Sequence, residues 1–260
     1  PRFEGAAAAG IDSANVCKGG KPSLQAQGGN DLDKDLQSIQ EVRDLLGQAR
    51  QAQRALERMT QEQLDKITKA ISASAAEQAR RLAELAVEET GFGIPADKEI
   101  KNRFAALTLY DAIKDERTHG ILAEDREKRT IDIGVPVGIV AGLVPSTNPT
   151  STVIYKAMIC LKAGNPILFS PHPSAAGCIL EAVNVVRRAA ESAGAPAGAI
   201  ACITNPTLEA TQALMRHDAT RLILATGGGA MVKAAYSSGT PAIGVGAANL
   251  VEPYACKTII

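Results

Sequence analysis

The chain has no tryptophan, and only four Phe and four Tyr are spread over its 260 residues. Its core must therefore be aliphatic, drawn from Ala, Val, Ile and Leu. Neither charge is in excess. The 28 basic side chains balance 28 acidic ones, which leaves no electrostatic case for nucleic acid or an anionic membrane as partner. No apolar run approaches the roughly 20 residues needed to span a bilayer. The start lacks the basic-then-apolar form of a secretory signal. CxxC and Cys/His clusters are also missing. The five cysteines, Cys17, Cys160, Cys178, Cys202 and Cys256, read as reduced thiols of a cytoplasmic protein without a zinc site. The length suits one large domain or two small ones, and a start at Pro1 is that expected of a fragment or a processed product.

Residues 1–30 are rich in Gly, Ala, Ser and Gln and read as a flexible arm. A helix is expected over Asp31–Met59, where Leu36, Ile39, Val42, Leu45, Leu46 and Ala49 share one face. Thr60 and Gln63 form a capping box that opens a second helix running to Glu89, and Gly91 and Gly93 stop it. A third helix is expected over Lys98–Ile113, with Lys101, Arg103 and Lys114 on solvated faces. Residues 31–128 thus read as a helical layer with little chemistry. From Arg129 the pattern changes. Thr130–Val135 alternates as a half-exposed strand should. Apolar strands at Val137–Val144, Pro166–Ser170, Ile200–Thr204, Arg221–Ala225 and Ala242–Val245 then alternate with four helices. These helices span Ser151–Ala163, Ala175–Ala193, Thr207–Met215 and Ala230–Ser237. Such alternation predicts an α/β fold, an open parallel sheet with helices on both faces.

Three loops leave the carboxyl ends of these strands: Pro145-Ser146-Thr147-Asn148-Pro149, Ser170-Pro171-His172-Pro173-Ser174 and Thr226-Gly227-Gly228-Gly229. In a doubly wound sheet they gather at one edge, where such sheets bind ligands. Two prolines stiffen the first loop around a polar tip. The glycine triplet suits close approach of a phosphate or a nicotinamide ring, because no Cβ intervenes, although a simple tight turn would use the same residues. The dinucleotide fingerprint GxGxxG is not met: Gly244-Val245-Gly246-Ala247-Ala248-Asn249 fails at its last position. That disfavours a standard Rossmann dehydrogenase.

The order and wording of these stretches resemble the CoA-acylating aldehyde dehydrogenases. The likeness runs over about residues 35–247. It includes Glu88–Gly93, Asp97-Lys98, Lys101-Asn102, Val144–Thr152, Phe169–Pro173, Ala213–His217, Ile223–Gly228 and Met231–Gly239. The resemblance implies a cysteine thiolate that attacks a small aldehyde, hydride transfer to NAD or NADP, and release of the acyl group to coenzyme A. It matches Asn148 to the family asparagine whose amide steadies the developing oxyanion, a donor whose removal typically costs on the order of 3 kcal/mol in barrier. On the residues alone, Asn148 reads first as an Asn that closes a turn beside Pro149, and the family match reverses that order. By the same resemblance the cofactor lies against Pro145, Ser146, Thr147, Ser170, His172, Pro173, Thr226, Gly227, Gly228 and Val232. His172 remains open between a cofactor-side and a solvated loop residue, while His119 and His217 read as structural. The resemblance further implies a homo-oligomer in the full-length family, and the cytoplasm or a bacterial microcompartment as its setting. Acetaldehyde, propionaldehyde and sulfoacetaldehyde all stay open as substrates.

The chain also departs from the family. Hydrolytic aldehyde dehydrogenases carry a glutamate base near Gly244–Gly246. Its lack here fits a thiol acceptor, which ionises far more readily than water. Gly229-Ala230 and Ala248 stand where relatives carry Pro-Gly and Gly. Residues 129–249 read as the NAD-binding part and residues 250–260 as a divergent tail. Cys256 comes too early to match the family nucleophile, and Cys160, Cys178 and Cys202 read as inert core thiols. The catalytic domain is therefore expected to be absent, with the cofactor part exposing an apolar face where that domain would dock. Two other readings follow. One is a non-catalytic partner that joins full-length subunits through the Arg129–Val135 strand. The other is an acylphosphate-reducing semialdehyde dehydrogenase, which the wording Pro-Ser-Thr-Asn-Pro-Thr disfavours.

Overall fold

A computed structural model describes residues 29–246 of the chain. The arm assigned to residues 1–30 falls almost wholly outside the described residues. The divergent tail, Asn249, Cys17 and Cys256 also lie outside them. Helix α1 spans Gly29–Leu56, so its start overlaps the last two residues given to the arm. Helix α2 (Gln61–Glu77) opens on the expected capping box: Thr60 Oγ1 accepts from Gln63 N at 3.4 Å, and Gln63 Oε1 accepts from Thr60 N at 2.9 Å.

The single helix expected to run to Glu89 is two. Helix α3 (Ala79–Thr90) follows α2 after a break at Gln78, whose ψ is 3°. No Gly or Pro marks the break. It lets α2 pack along two later helices while α3 turns toward α4 (Pro95–Arg103), and Ala79 is fully buried at the bend. Gly91 closes α3 at φ 69°, a left-handed conformation that glycine adopts without strain. Pro95, at the first position of α4, starts the third helix three residues earlier than expected. The run is interrupted by a π-helical turn, Phe104–Thr108, before α5 (Leu109–Ile113). Ser72 Oγ donates to the Ala106 carbonyl there at 2.8 Å, a side-chain insertion of the kind that loosens a helix ladder.

The expected half-exposed strand exists as β2 (Thr130–Gly134), but it pairs antiparallel with β1 (Gly120–Asp125), which the sequence pattern did not reveal. Its alternation does not produce a buried face: Ile131 and Ile133 are 55% and 61% exposed.

The remaining strands form one parallel sheet. They are β3 (Ile139–Val144), β4 (Ile167–Pro171), β5 (Ile200–Cys202), β6 (Thr220–Thr226) and β7 (Ala242–Val245), in spatial order β5-β4-β3-β6-β7. Helices α6 (Pro149–Lys162), α7 (Ala176–Ser192), α8 (Leu208–Arg216) and α9 (Gly229–Tyr236) connect them in turn. Successive residues of β3 face opposite sides. Val140 and Val144 join Ile167 and Phe169 in a core with α2, α6 and α7. Ile139, Ala141 and Leu143 join Leu168 and Ile223 in a second core with α1 and α8. The sheet is thus covered on both faces, as expected. Its strand order reverses between β3 and β6, the position at which open α/β sheets leave a ligand crevice. Phe92, Ile94, Ile100 and Phe104 remain large exposed apolar side chains around α4.

Candidate active site

At the carboxyl ends of β3 and β6 lies a cavity of about 700 Å³. All three predicted loops line it, contributing Pro145, Ser146, Thr147 and Asn148, then Ser170, His172 and Pro173, then Thr226, Gly227 and Gly228. Val232 does not line it. That side chain packs instead over Gly244 of β7, where an added Cβ would come within 2.6 Å of Val232 Cγ1, and Met231 takes the place at the cavity wall. Pro206, Thr207, Leu208 and Thr211 complete the wall from the start of α8, which the sequence reading had not linked to the site. Another cavity, of about 500 Å³, lies at the opposite edge beside Arg50, Arg54 and Arg221; none of the predicted loops reaches it.

The first loop is held from the helical layer. Lys98, 5% exposed, donates from Nζ to the Thr147 carbonyl at 2.8 Å. Lys101 Nζ donates to Asn148 Oδ1 at 3.1 Å. Asn102 accepts from Thr150 Oγ1 at 2.8 Å and donates to the Ala79 carbonyl at 3.0 Å. Burial lowers the Lys98 pKa, and the neighbouring Lys101 charge lowers it further. The helical layer therefore carries more chemistry than expected, and Lys101 does not simply face solvent. Asn148 sits at the N-cap of α6, yet its side chain makes no capping hydrogen bond. The amide is not spent on closing the turn.

In the second loop, Ser170 is buried and its hydroxyl is paired with Thr211 Oγ1 at 2.8 Å. His172 is exposed, and its Nδ1 is paired with Ser174 Oγ at 2.8 Å. The start of α7 is closed to an anion, because Glu89 already accepts from Gly177 N at 2.8 Å and Cys178 N at 2.6 Å. The start of α9 is different. Gly228 is its N-cap with no side-chain cap, and a Cβ built at Gly228 or Gly229 meets nothing within 4 Å. The first amides of that helix thus border open space that a phosphate or a flat ring can enter. The triplet's φ angles are not positive, so its glycines serve access rather than a strained turn.

Below the cavity lies a residue that no motif in the sequence marks. Lys156 of α6 is 1% exposed, and its Nζ donates to the Leu143 and Leu224 carbonyls, each at 2.7 Å. It ties the ends of β3 and β6 together at the crevice. Burial lowers its pKa to about 7. A lysine on the apolar side of a sheet-covering helix was the available signal. The thiols are as expected. Cys160, Cys178 and Cys202 are buried, and desolvation pushes Cys160 and Cys178 up to about 12 and Cys202 higher still. Among the described residues no group of three or more His, Cys, Asp or Glu is placed to hold a metal ion. No described helix is long and apolar enough to cross a membrane.

The model of the aldehyde dehydrogenase family matches residues 35–244. Over 212 residues the chain is 51% identical to the bifunctional aldehyde-alcohol dehydrogenase AdhE of Escherichia coli, a match covering 82% of this chain and 24% of that protein. An acetylating aldehyde dehydrogenase from Geobacillus thermoglucosidasius is 60% identical with a TM-score of 0.80, over 81% of this chain and 47% of the other. A Rhodopseudomonas palustris propionaldehyde dehydrogenase, solved with bound CoA and an acylated cysteine, is 32% identical with a TM-score of 0.66, over 78% of this chain and 46% of the other. The chain thus spans about half the length of these solved relatives. Loop order, sheet topology and sequence agree: the chain belongs to the aldehyde dehydrogenase family, and its relatives are acylating members.

Proposed function

We propose that these 260 residues form the cofactor-binding half of a CoA-acylating aldehyde dehydrogenase, with NAD or NADP seated in the cavity at the β3/β6 crevice. The observation that carries this reading is the convergence of the three loops on one cavity of about 700 Å³, with open space beyond Gly228 and Gly229. The bound dinucleotide supplies the hydride acceptor. The uncapped start of α9 suits its pyrophosphate or its ring, and Pro145, Leu208 and Met231 give it apolar wall to lie against. Asn148 donates from its amide to the aldehyde oxygen as negative charge develops there. An uncharged donor aimed at that oxygen favours the transition state over the neutral aldehyde. Acyl transfer to coenzyme A needs an accessible thiolate. The three described cysteines are buried and hold their protons, so none of them serves. On this reading the working enzyme is a homo-oligomer of longer chains, in the cytoplasm or a bacterial microcompartment.

The test is turnover. Purified chain 1–260 is expected to oxidise no aldehyde in the presence of NAD, NADP and CoA while still binding a dinucleotide. Production of acyl-CoA would contradict the assignment of these residues to the cofactor half alone. The second reading, a non-catalytic partner of full-length subunits, has one observation in its favour. The β1–β2 hairpin carries exposed Ile121, Ile131, Ile133 and Val135 beside a strand edge that no described strand pairs. Sedimentation of the chain mixed with an intact acylating enzyme distinguishes the two: a mixed species favours the partner role, and separate species count against it.

A further inference from the structure

We infer that Lys101 is a positioning residue, whose ammonium sets which atom of the Asn148 amide faces the cavity. The inference rests on the reading of Asn148 as the donor to the aldehyde oxygen. An amide has a carbonyl and an NH₂ of nearly equal size, so packing alone discriminates poorly between its two orientations. An ammonium carries donors only. The Asn148 atom 3.1 Å from Lys101 Nζ must therefore be the carbonyl oxygen. With Oδ1 turned toward α4, the NH₂ lies on the other side. It has no hydrogen-bond partner among the described residues, and Asn148 is part of the cavity wall.

The rest of the loop is fastened independently, by Lys98 at the Thr147 carbonyl and by Asn102 at the Thr150 hydroxyl. Removing Lys101 should therefore free the amide without moving the backbone that carries it. Lys98 and Lys101 are three residues apart on α4 and reach neighbouring atoms of the same loop, as that spacing allows. The positive charge beside Oδ1 also polarises the amide, which makes its N–H groups better donors.

The experiment uses the ¹⁵N-labelled 260-residue chain. The Asn148 side-chain NH₂ pair is assigned by its loss in Asn148→Asp. It is expected to shift in Lys101→Met and to return toward its original position in Lys101→Arg, while the backbone amides of Thr147 and Thr150 stay in place. Lys101 is exposed, and its removal leaves no buried group without a partner, so folding is retained. Lys101→Ala repeats the test with a side chain too short to repack. An NH₂ pair that superimposes on the original in Lys101→Met overturns the inference. So does a shift of the whole loop backbone, since Lys101 would then hold the chain rather than the amide. NAD and NADP titrations on the same samples address the cofactor reading separately: no binding to the unsubstituted chain counts against that reading and leaves the amide result standing.

Discussion

On the proposed reading, Asn148 and Gly228 bear the two demands of the site, a donor that is not spent locally and a backbone that leaves room. Gly228 offers the cleaner test, because its φ of −65° and ψ of 159° suit any residue and a Cβ there meets nothing within 4 Å. Gly228→Val should therefore change stability by no more than about 0.5 kcal/mol. It should nevertheless weaken dinucleotide binding about tenfold or more, since the branched side chain occupies the ligand's space. Thermal melts and calorimetry read the two effects apart, and equal binding by both forms would remove the triplet from the site. The thiols make the opposite point. Cys160, Cys178 and Cys202 should escape alkylation by iodoacetamide near neutral pH and react only after denaturation, as peptide mapping would show. Labelling of any of the three in the native state would reopen the question of the nucleophile. The burial of these thiols was legible in the sequence, because their neighbours are apolar. The lysines that hold the loop at Thr147 and Asn148 were not. Lys98 and Lys101 lie 49 and 47 residues before their acceptors and look like any solvated helix pair until the fold brings α4 over the loop.

Among the elements, those that cover or form the parallel sheet stood out in the sequence because continuous apolar strands and amphipathic helices differ in period and in length. Ala242–Val245 falls where it was read, and β3 and β6 differ from their expected spans by one or two residues. Elements whose shape depends on distant packing were hidden. Gln78 carries no breaker, and the bend there comes from α3 turning onto α4. Strand β1 reads Gly-Ile-Leu-Ala-Glu-Asp, a block of apolar residues followed by acidic ones, so its sequence carried no alternation to detect. Helix α6 holds the least expected feature, the Lys156 clasp between β3 and β6. Burial holds its folded pKa at about 7, well below the ordinary value of a lysine, so the unfolded chain holds the proton over a range where the native one has lost it. Lys156 therefore makes stability rise with pH from about 7 upward and adds no pH dependence well below 7. Comparing Lys156→Met with the original chain between about pH 7 and about pH 9 isolates this contribution, below the range where Tyr155, itself raised by burial, titrates. The substituted chain should lack the rise in melting temperature over that window. An identical pH profile in both would mean that Lys156 is not held neutral.

As a whole, the molecule is a two-faced sheet whose single reversal of strand order creates the crevice, with a helical layer bracing one of the crevice loops. That plan was readable from the alternation of strands and helices and from three proline- and glycine-rich loops at strand ends. The bracing was not, since it depends on contacts between the two halves of the described chain. The proposed role of the crevice is to seat a nicotinamide dinucleotide. Calorimetric titration of folded chain 1–260 with NAD and with NADP tests this most directly. Saturable binding of at least one of them, at one site per chain and weakened in Gly228→Val, is the predicted result. No heat and no thermal stabilisation with either dinucleotide, on protein shown to be folded, would contradict it.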